Sequence, residues 1–265
     1  MNGAEFREAL RRGDTVYGTM LTLAKGARWA GVFGRLGFDY VIVDTEHSPF
    51  GRHDVGDLSA ALAAVGVTPI VRIPYPDPYQ ARIAIDAGGH GVLAPYVERP
   101  EEARAIVGAA RLRPLKGALH DAARDESRYV NPETEEYLGR FNRNAAVIIG
   151  IESVPAIERL NEILDVPGID AIFIGPHDLS ISLGVPERYD HPRFQEAVRQ
   201  IIETSAARGI AAGGHWMQVE QVQHWRGIGS RFILYSMDVR ALSEGYRRDL
   251  QAIKGSAGEA ERHTI

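Results

Sequence analysis

The sequence contains no cysteine. Disulfide frameworks, cysteine zinc sites, iron–sulfur clusters and thiol nucleophiles are excluded together. Lysine is scarce: Lys25, Lys116 and Lys254 are the three in 265 residues. None lies in a segment that reads as a strand, so a Schiff-base mechanism, which desolvates a lysine on such a strand, has no candidate. No apolar run approaches the ~20 residues of a membrane span, and the first residues, MNGAEFREALRRG, lack the apolar core of a secretory signal. A soluble cytoplasmic protein is expected. No basic block is present and the net charge is −5, which argues against a nucleic-acid partner, since phosphate neutralisation needs clustered Lys and Arg. A Walker A loop, a Rossmann glycine fingerprint, a G-x-S-x-G elbow and an H-E-x-x-H pair are also missing.

What remains is ordinary globular composition, 45% hydrophobic and 25% charged, in a length that suits one large domain. Short β-branched runs recur, each followed by helical spacing. The expected strands are Val16–Met20, Tyr40–Asp44, Pro69–Arg72, Gly91–Pro95, Ala146–Ile151, Ala171–Ile174, Ile210–Gly213 and Phe232–Tyr235. Runs such as VIIGI and AIFIG are apolar almost throughout, as strands covered on both faces are. Val55, Leu58, Leu62 and Val65 share a helical face, as do Val239, Leu242, Tyr246 and Leu250. Asp77-Pro78 reads as a helix start, and Gly37 and Gly66 as helix ends. Eight strands alternating with helices predict an α/β protein, a single-domain (β/α)8 TIM barrel over residues 1–254, with a doubly wound open sheet as the alternative. A helix over Glu101–Ala110 fills part of the long gap between the fourth and fifth strands. The rest, RPLKGALHDAARDESRYVNPETEEY, reads as an irregular active-site loop, and the tail, residues 255–265, as disordered.

In such a barrel the C-terminal ends of the strands carry the chemistry. Those positions hold Asp44, Glu46 and His47; Arg72; Glu152; His177 and Asp178; and His215. Almost all are ionisable, which a purely structural barrel does not need. Glu152 follows AVIIGI and Asp178 follows AIFIGPH, so neighbouring strands deliver two carboxylates to one mouth. Unpaired, they repel, so one titrates high or a cation sits between them. An oxygen-only pair suits Mg²⁺ or Mn²⁺. The plainer reading is that each carboxylate caps a helix or pairs with an arginine. Arg72, always charged and planar, fits a carboxylate or a developing oxyanion, or equally a structural ion pair to Glu46 or Glu152. His47 has the pKa range of a general base, although a strand-end histidine is often a packing residue. The amides of GPHDLS suit a carboxylate or simply form a strand-to-helix turn. His120 and Asp121 are weaker candidates.

VDTEHSPF, the arginine of IVRIP, the IES after an apolar strand, and FIGPHDLS resemble together the HpcH/HpaI aldolase family, over about Phe6 to Leu250. These are metal-dependent, class II pyruvate aldolases, among them 4-hydroxy-2-oxoheptanedioate aldolase and 2-keto-3-deoxy sugar acid aldolases. The resemblance implies a (β/α)8 barrel and a homohexamer built from dimers that exchange the last helix. Glu152 and Asp178 would hold the divalent ion, Mg²⁺ or Mn²⁺ first, with Co²⁺, Ni²⁺ or Zn²⁺ as alternatives. Arg72 would stabilise the enolate and the aldol oxyanion, and His47 would be the base with Asp86 as its partner. Amides around Gly175, Pro176, His177 and Asp178 would receive the pyruvate carboxylate. The small-molecule partners would be a 2-oxo acid and an aldehyde.

Three departures fall on the substrate side. Gly150 stands where the family commonly has glutamine, His177 where alanine is frequent, and LKGALHDAARD where a glycine- and arginine-containing loop is usual. Gly150 is accordingly read as a substrate-side position, and His177 and His215 as lining the mouth on the substrate side or, equally, as satisfied histidines of no catalytic consequence. Two alternatives stay open: related enolate chemistry (an acyl-CoA lyase, citrate formation or oxaloacetate decarboxylation), and a non-catalytic barrel that binds a 2-oxo acid.

Overall fold

The computed structural model describes residues 1–126 and 131–257. Eight parallel strands close into one barrel in sequence order. They are β1 (Val16–Leu21), β2 (Tyr40–Asp44), β3 (Thr68–Arg72), β4 (Gly91–Ala94), β5 (Ala146–Ile151), β6 (Ala171–Ile174), β7 (Ala211–Trp216) and β8 (Phe232–Met237). The eight expected strands are all present; β7 runs three residues further than the sequence pattern suggests, through Gly214, His215 and Trp216. Around them lie α1 (Gly3–Arg11), α2 (Ala30–Leu36), α3 (Arg52–Ala64), α4 (Pro78–Asp86), α5 (Pro100–Arg111), α6 (Gly117–Glu126), α7 (Pro132–Phe141), α8 (Val154–Glu158), α9 (Leu160–Leu164), α10 (Pro176–Ser182), α11 (Pro192–Ala206), α12 (Val219–Ile228) and α13 (Asp238–Ala257). The open-sheet alternative falls because β8 pairs with β1, Val16 opposite Phe232.

Alternation along the strands separates two apolar layers. Ile42, Ile70, Leu93, Ile148, Phe173 and Leu234 fill the barrel interior, while Val43, Val71, Val92, Ile149 and Ile172 pack under the helices. Each fully buried side chain of this kind contributes about 1.5–3 kcal/mol. Helix α1 closes the N-terminal end of the barrel: Phe6 meets the Tyr40 ring edge-on at 5.4 Å, and Tyr40 stacks on Phe232 at 4.8 Å. A Cβ on Gly18 would stand 2.3 Å from the Tyr40 ring, so the plug needs glycine there. With the bottom sealed, the open space lies at the C-terminal strand ends.

Two expectations are corrected. The stretch expected as an irregular loop, 113–137, is largely helical among its described residues, with α6 over 117–126 and α7 from 132 onward, while 127–130 lie outside the described residues. Ala118, Ala122 and Ala123 favour helix in α6, Asn131 caps α7 by accepting from Thr134 N at 2.8 Å, and Ala123 and Leu138 are buried. The packing of Gly108 of α5 close to Arg124 sets α6 against the outer helix ring. Residues 255–257, expected in the tail, continue α13, and the expected disorder of 258–265 lies outside the described residues. No helix among the described residues is long and apolar enough to cross a membrane.

Candidate active site

Strand β2 ends on Asp44, fully buried, and this carboxylate organises the turn beyond the strand. It accepts from Glu46 N at 3.0 Å and from Arg72 Nε of β3 at 2.8 Å. Arg72 Nη2 adds a second contact to Asp44 at 2.8 Å, and Nη1 reaches Glu46 at 3.1 Å. A guanidinium gripped by two carboxylates is held in one orientation. Burial opposes its charge, but Asp44, Glu46 and Glu152 outweigh that and raise its pKa. Glu46 also approaches His47 Nε2 at 3.7 Å. Burial lifts the Glu46 pKa against the pull of Arg72 and His47. His47 itself is largely exposed at the rim.

Glu152 follows β5 and is buried. Two glycines make its place: a Cβ on Gly175 would lie 2.7 Å from Glu152 Cδ, and one on Gly150 would lie 2.9 Å from Oε1. Burial, then the nearby Asp178 and Glu46, push its pKa up to about 8, against the pull of Arg72 and the Tyr96 amide. Its Oε1 is buried without a hydrogen-bond partner. Asp178, in the first turn of α10, lines the same cavity of about 370 Å³ with Asp44, His47, Arg72, Glu152, Gly175, Pro176, His177 and His215. Leu179 N is the first amide of α10 to find a partner within the helix, Gly175 O at 3.0 Å. The His177 and Asp178 amides therefore precede helical pairing.

The structure thus brings together nearly all the residues expected from the sequence. Gly150 underlies the cavity through its contact with Glu152. Asp86 is the exception. It ends α4, just before the chain turns back to start β4, and its Oδ1 takes Arg113 Nη1 at 2.6 Å. That is the closed end of the barrel, away from His47; within one chain the carboxylate beside His47 is Glu46. His120 and Asp121 pair with each other on α6 at 3.3 Å and do not line the cavity. The Tyr96 amide that supports Glu152 gives no signal in the sequence, because it depends on a left-handed residue, φ 52°, after β4.

A closed (β/α)8 barrel with a fixed arginine and two carboxylates lining one cavity at its mouth has the architecture of a barrel enzyme, whose chemistry sits at the C-terminal strand ends. Comparison with known proteins makes this specific. The model of the HpcH/HpaI aldolase/citrate lyase family matches residues 20–244. The 2-keto-3-deoxy-L-rhamnonate aldolase of Escherichia coli (strain K12) is 31% identical over 251 residues, which cover 94% of this chain and 92% of the relative. A HpcH/HpaI aldolase from Desulfitobacterium hafniense DCB-2 superposes with a TM-score of 0.82 at 27% identity, covering 98% of each chain. A family protein from Burkholderia cenocepacia J2315 gives 0.82 at 29%, covering 95% of this chain and 99% of its own. The chain belongs to the HpcH/HpaI aldolase/citrate lyase family, and it is an aldolase-type carbon–carbon lyase.

Proposed function

We propose that the chain makes or breaks the bond between the enolate of pyruvate, or a close 2-oxo acid, and an aldehyde, with a divalent ion held by Glu152 and Asp178. The observation that carries this is the partnerless, buried Oε1 of Glu152 in the cavity that Asp178 also lines. A buried carboxylate oxygen without a donor is costly unless a cation or proton meets it. The all-oxygen donor set suits Mg²⁺ or Mn²⁺. Among the described residues no cluster of three or more His, Cys, Asp or Glu side chains forms a self-sufficient cage, so Glu152 and Asp178 would hold the ion together with oxygens from outside the protein. When bound, such an ion supplies Lewis-acid polarisation of the substrate carbonyl.

The chain's own groups do the rest. The amides of His177 and Asp178 receive the 2-oxo acid carboxylate. His47, at the rim with Glu46 Oε2 3.7 Å from its Nε2, takes the proton from the methyl carbon. Arg72, locked by Asp44 and Glu46, faces the oxygen on which negative charge grows in the enolate and again in the aldol alkoxide. The relatives' name supports a 2-keto-3-deoxy acid as the cleaved substrate. Assembly belongs to the same reading: Leu242, Tyr246 and Leu250 share an exposed face of α13, which a second copy of the chain would cover. A role for Asp86 beside His47 then requires another copy, since its own chain holds it elsewhere.

The test is exchange of pyruvate methyl hydrogens with deuterated solvent, followed by NMR with Mg²⁺ or Mn²⁺ and no aldehyde. Exchange is expected in the wild type and absent in Asp178→Ala. A wild type that does not exchange with any divalent ion overturns the proposal.

A further inference from the structure

His215 takes no part in that chemistry, yet its ring lines the cavity with Arg72 and Asp178. The neighbouring strand explains how it is held. Ladder pairing between β1 and β8 shifts register between Gly18, opposite Leu234, and Met20, opposite Met237. Within that irregularity Ser236 takes φ 54°, a left-handed conformation rare outside glycine. The Ser236 carbonyl lies 2.9 Å from His215 Nε2. A carbonyl only accepts, so Nε2 carries the hydrogen and the tautomer is fixed. Burial, opposed by that bond, brings the His215 pKa down to about 4, so near neutrality the ring is uncharged. Its Nδ1 is then a lone pair, with no hydrogen-bond partner among the described residues.

That lone pair selects by chemistry. A 2-oxo acid anion such as pyruvate offers only acceptors on its oxygens, so Nδ1 has nothing to take from it. A neutral acceptor also gives no counter-charge to an acceptor aldehyde bearing a carboxylate. What it suits is a neutral hydroxyl. Resting on the aldolase reading, we infer that His215 is a specificity residue whose Nδ1 accepts a hydrogen bond from a hydroxyl group of the aldehyde, favouring hydroxylated aldehydes over simple alkanals.

The experiment compares kcat/KM for glyceraldehyde and propanal, three-carbon aldehydes with and without hydroxyls, at saturating pyruvate and Mn²⁺. Wild type, His215→Leu and His215→Ala are measured, and pyruvate methyl exchange without aldehyde is recorded for each. Both substitutions are expected to lower the glyceraldehyde-to-propanal ratio roughly 3- to 10-fold, the range of one neutral hydrogen bond, while methyl exchange persists. The alanine variant guards against crowding by leucine. A ratio unchanged in both variants, with exchange intact, overturns the role of His215 and leaves the aldolase reading standing. Absence of exchange in the wild type removes both.

Discussion

Glu152 should make the ion-free protein lose stability as the pH rises through neutrality. Its carboxyl ionises near 4.5 when exposed and near 8 in the fold, chiefly because it is buried, then because Asp178 and Glu46 lie close. With a folded pKa above the unfolded one, the folded state holds the proton more tightly. The stabilisation is complete below 4.5 and is lost as the pH climbs to about 8. At 1.36 kcal/mol per pH unit, that interval is worth about 5 kcal/mol. Since 1 kcal/mol moves the melting temperature of a domain this size by about 2–4 °C, the loss amounts to roughly 10–20 °C. The assay is thermal unfolding by circular dichroism between about pH 4.5 and 8.5 in a chelator, with Glu152→Gln as the reference. Glutamine cannot ionise, so its curve should lack this component, and the two proteins should diverge as pH rises. Adding Mn²⁺ should restore the wild type at high pH and not the variant. Parallel curves for the two proteins across the window would refute the reasoning.

Arg72→Lys keeps a positive charge but loses the two-point grip on Asp44 and the contact with Glu46. It should reduce kcat about 10²- to 10³-fold, as loss of an oxyanion donor does, while calorimetry finds Mn²⁺ affinity nearly unchanged; an unaltered kcat removes Arg72 from its role. At the opposite end of the barrel, Asp170 takes Arg7 Nε at 3.1 Å, accepts from Val147 N at 2.9 Å and pairs with Arg111. Asp170→Ala leaves two arginines facing each other without a counter-charge and should cost about 3–5 kcal/mol in urea denaturation. A cost below about 1 kcal/mol would show that the cluster is solvated.

The fold is largely legible because each barrel strand announces itself through a β-branched run, and several do so again through the ionisable residue that ends them. Asp44, Arg72 and Glu152 fall where a run stops, and their neighbourhood follows from closure alone. Strand β7 reads short because Gly213 and Gly214 look like a turn, whereas glycine there answers to close approach: a Cβ on Gly213 would lie 1.6 Å from Phe232 O. Helices α6 and α7 read as loop because their outward faces are polar and each anchors through few buried side chains. The carboxylate beside His47 within its own chain, Glu46, is not legible either. Asp86 shares a helix motif with the family, but which carboxylate meets an imidazole depends on which end of α4 faces the mouth.

The departure at Gly150 connects the two halves of the site. Glutamine is common there in the family, two places before the position of Glu152, and its side chain would begin with the Cβ that clashes here with Glu152 Oε1 and Pro95 Cα at 2.9 Å. Glycine therefore lets the Glu152 carboxylate fold back into space that a side chain at 150 would contest, and Gly175 clears the opposite flank. The same vacancy takes one amide away from the substrate side. Around the same cavity the chain also places imidazoles at His47, His177 and His215. Positions far apart along the sequence thus act on one cavity: Gly150 and Gly175 make room for the carboxylate, and His177 lines the space beside it.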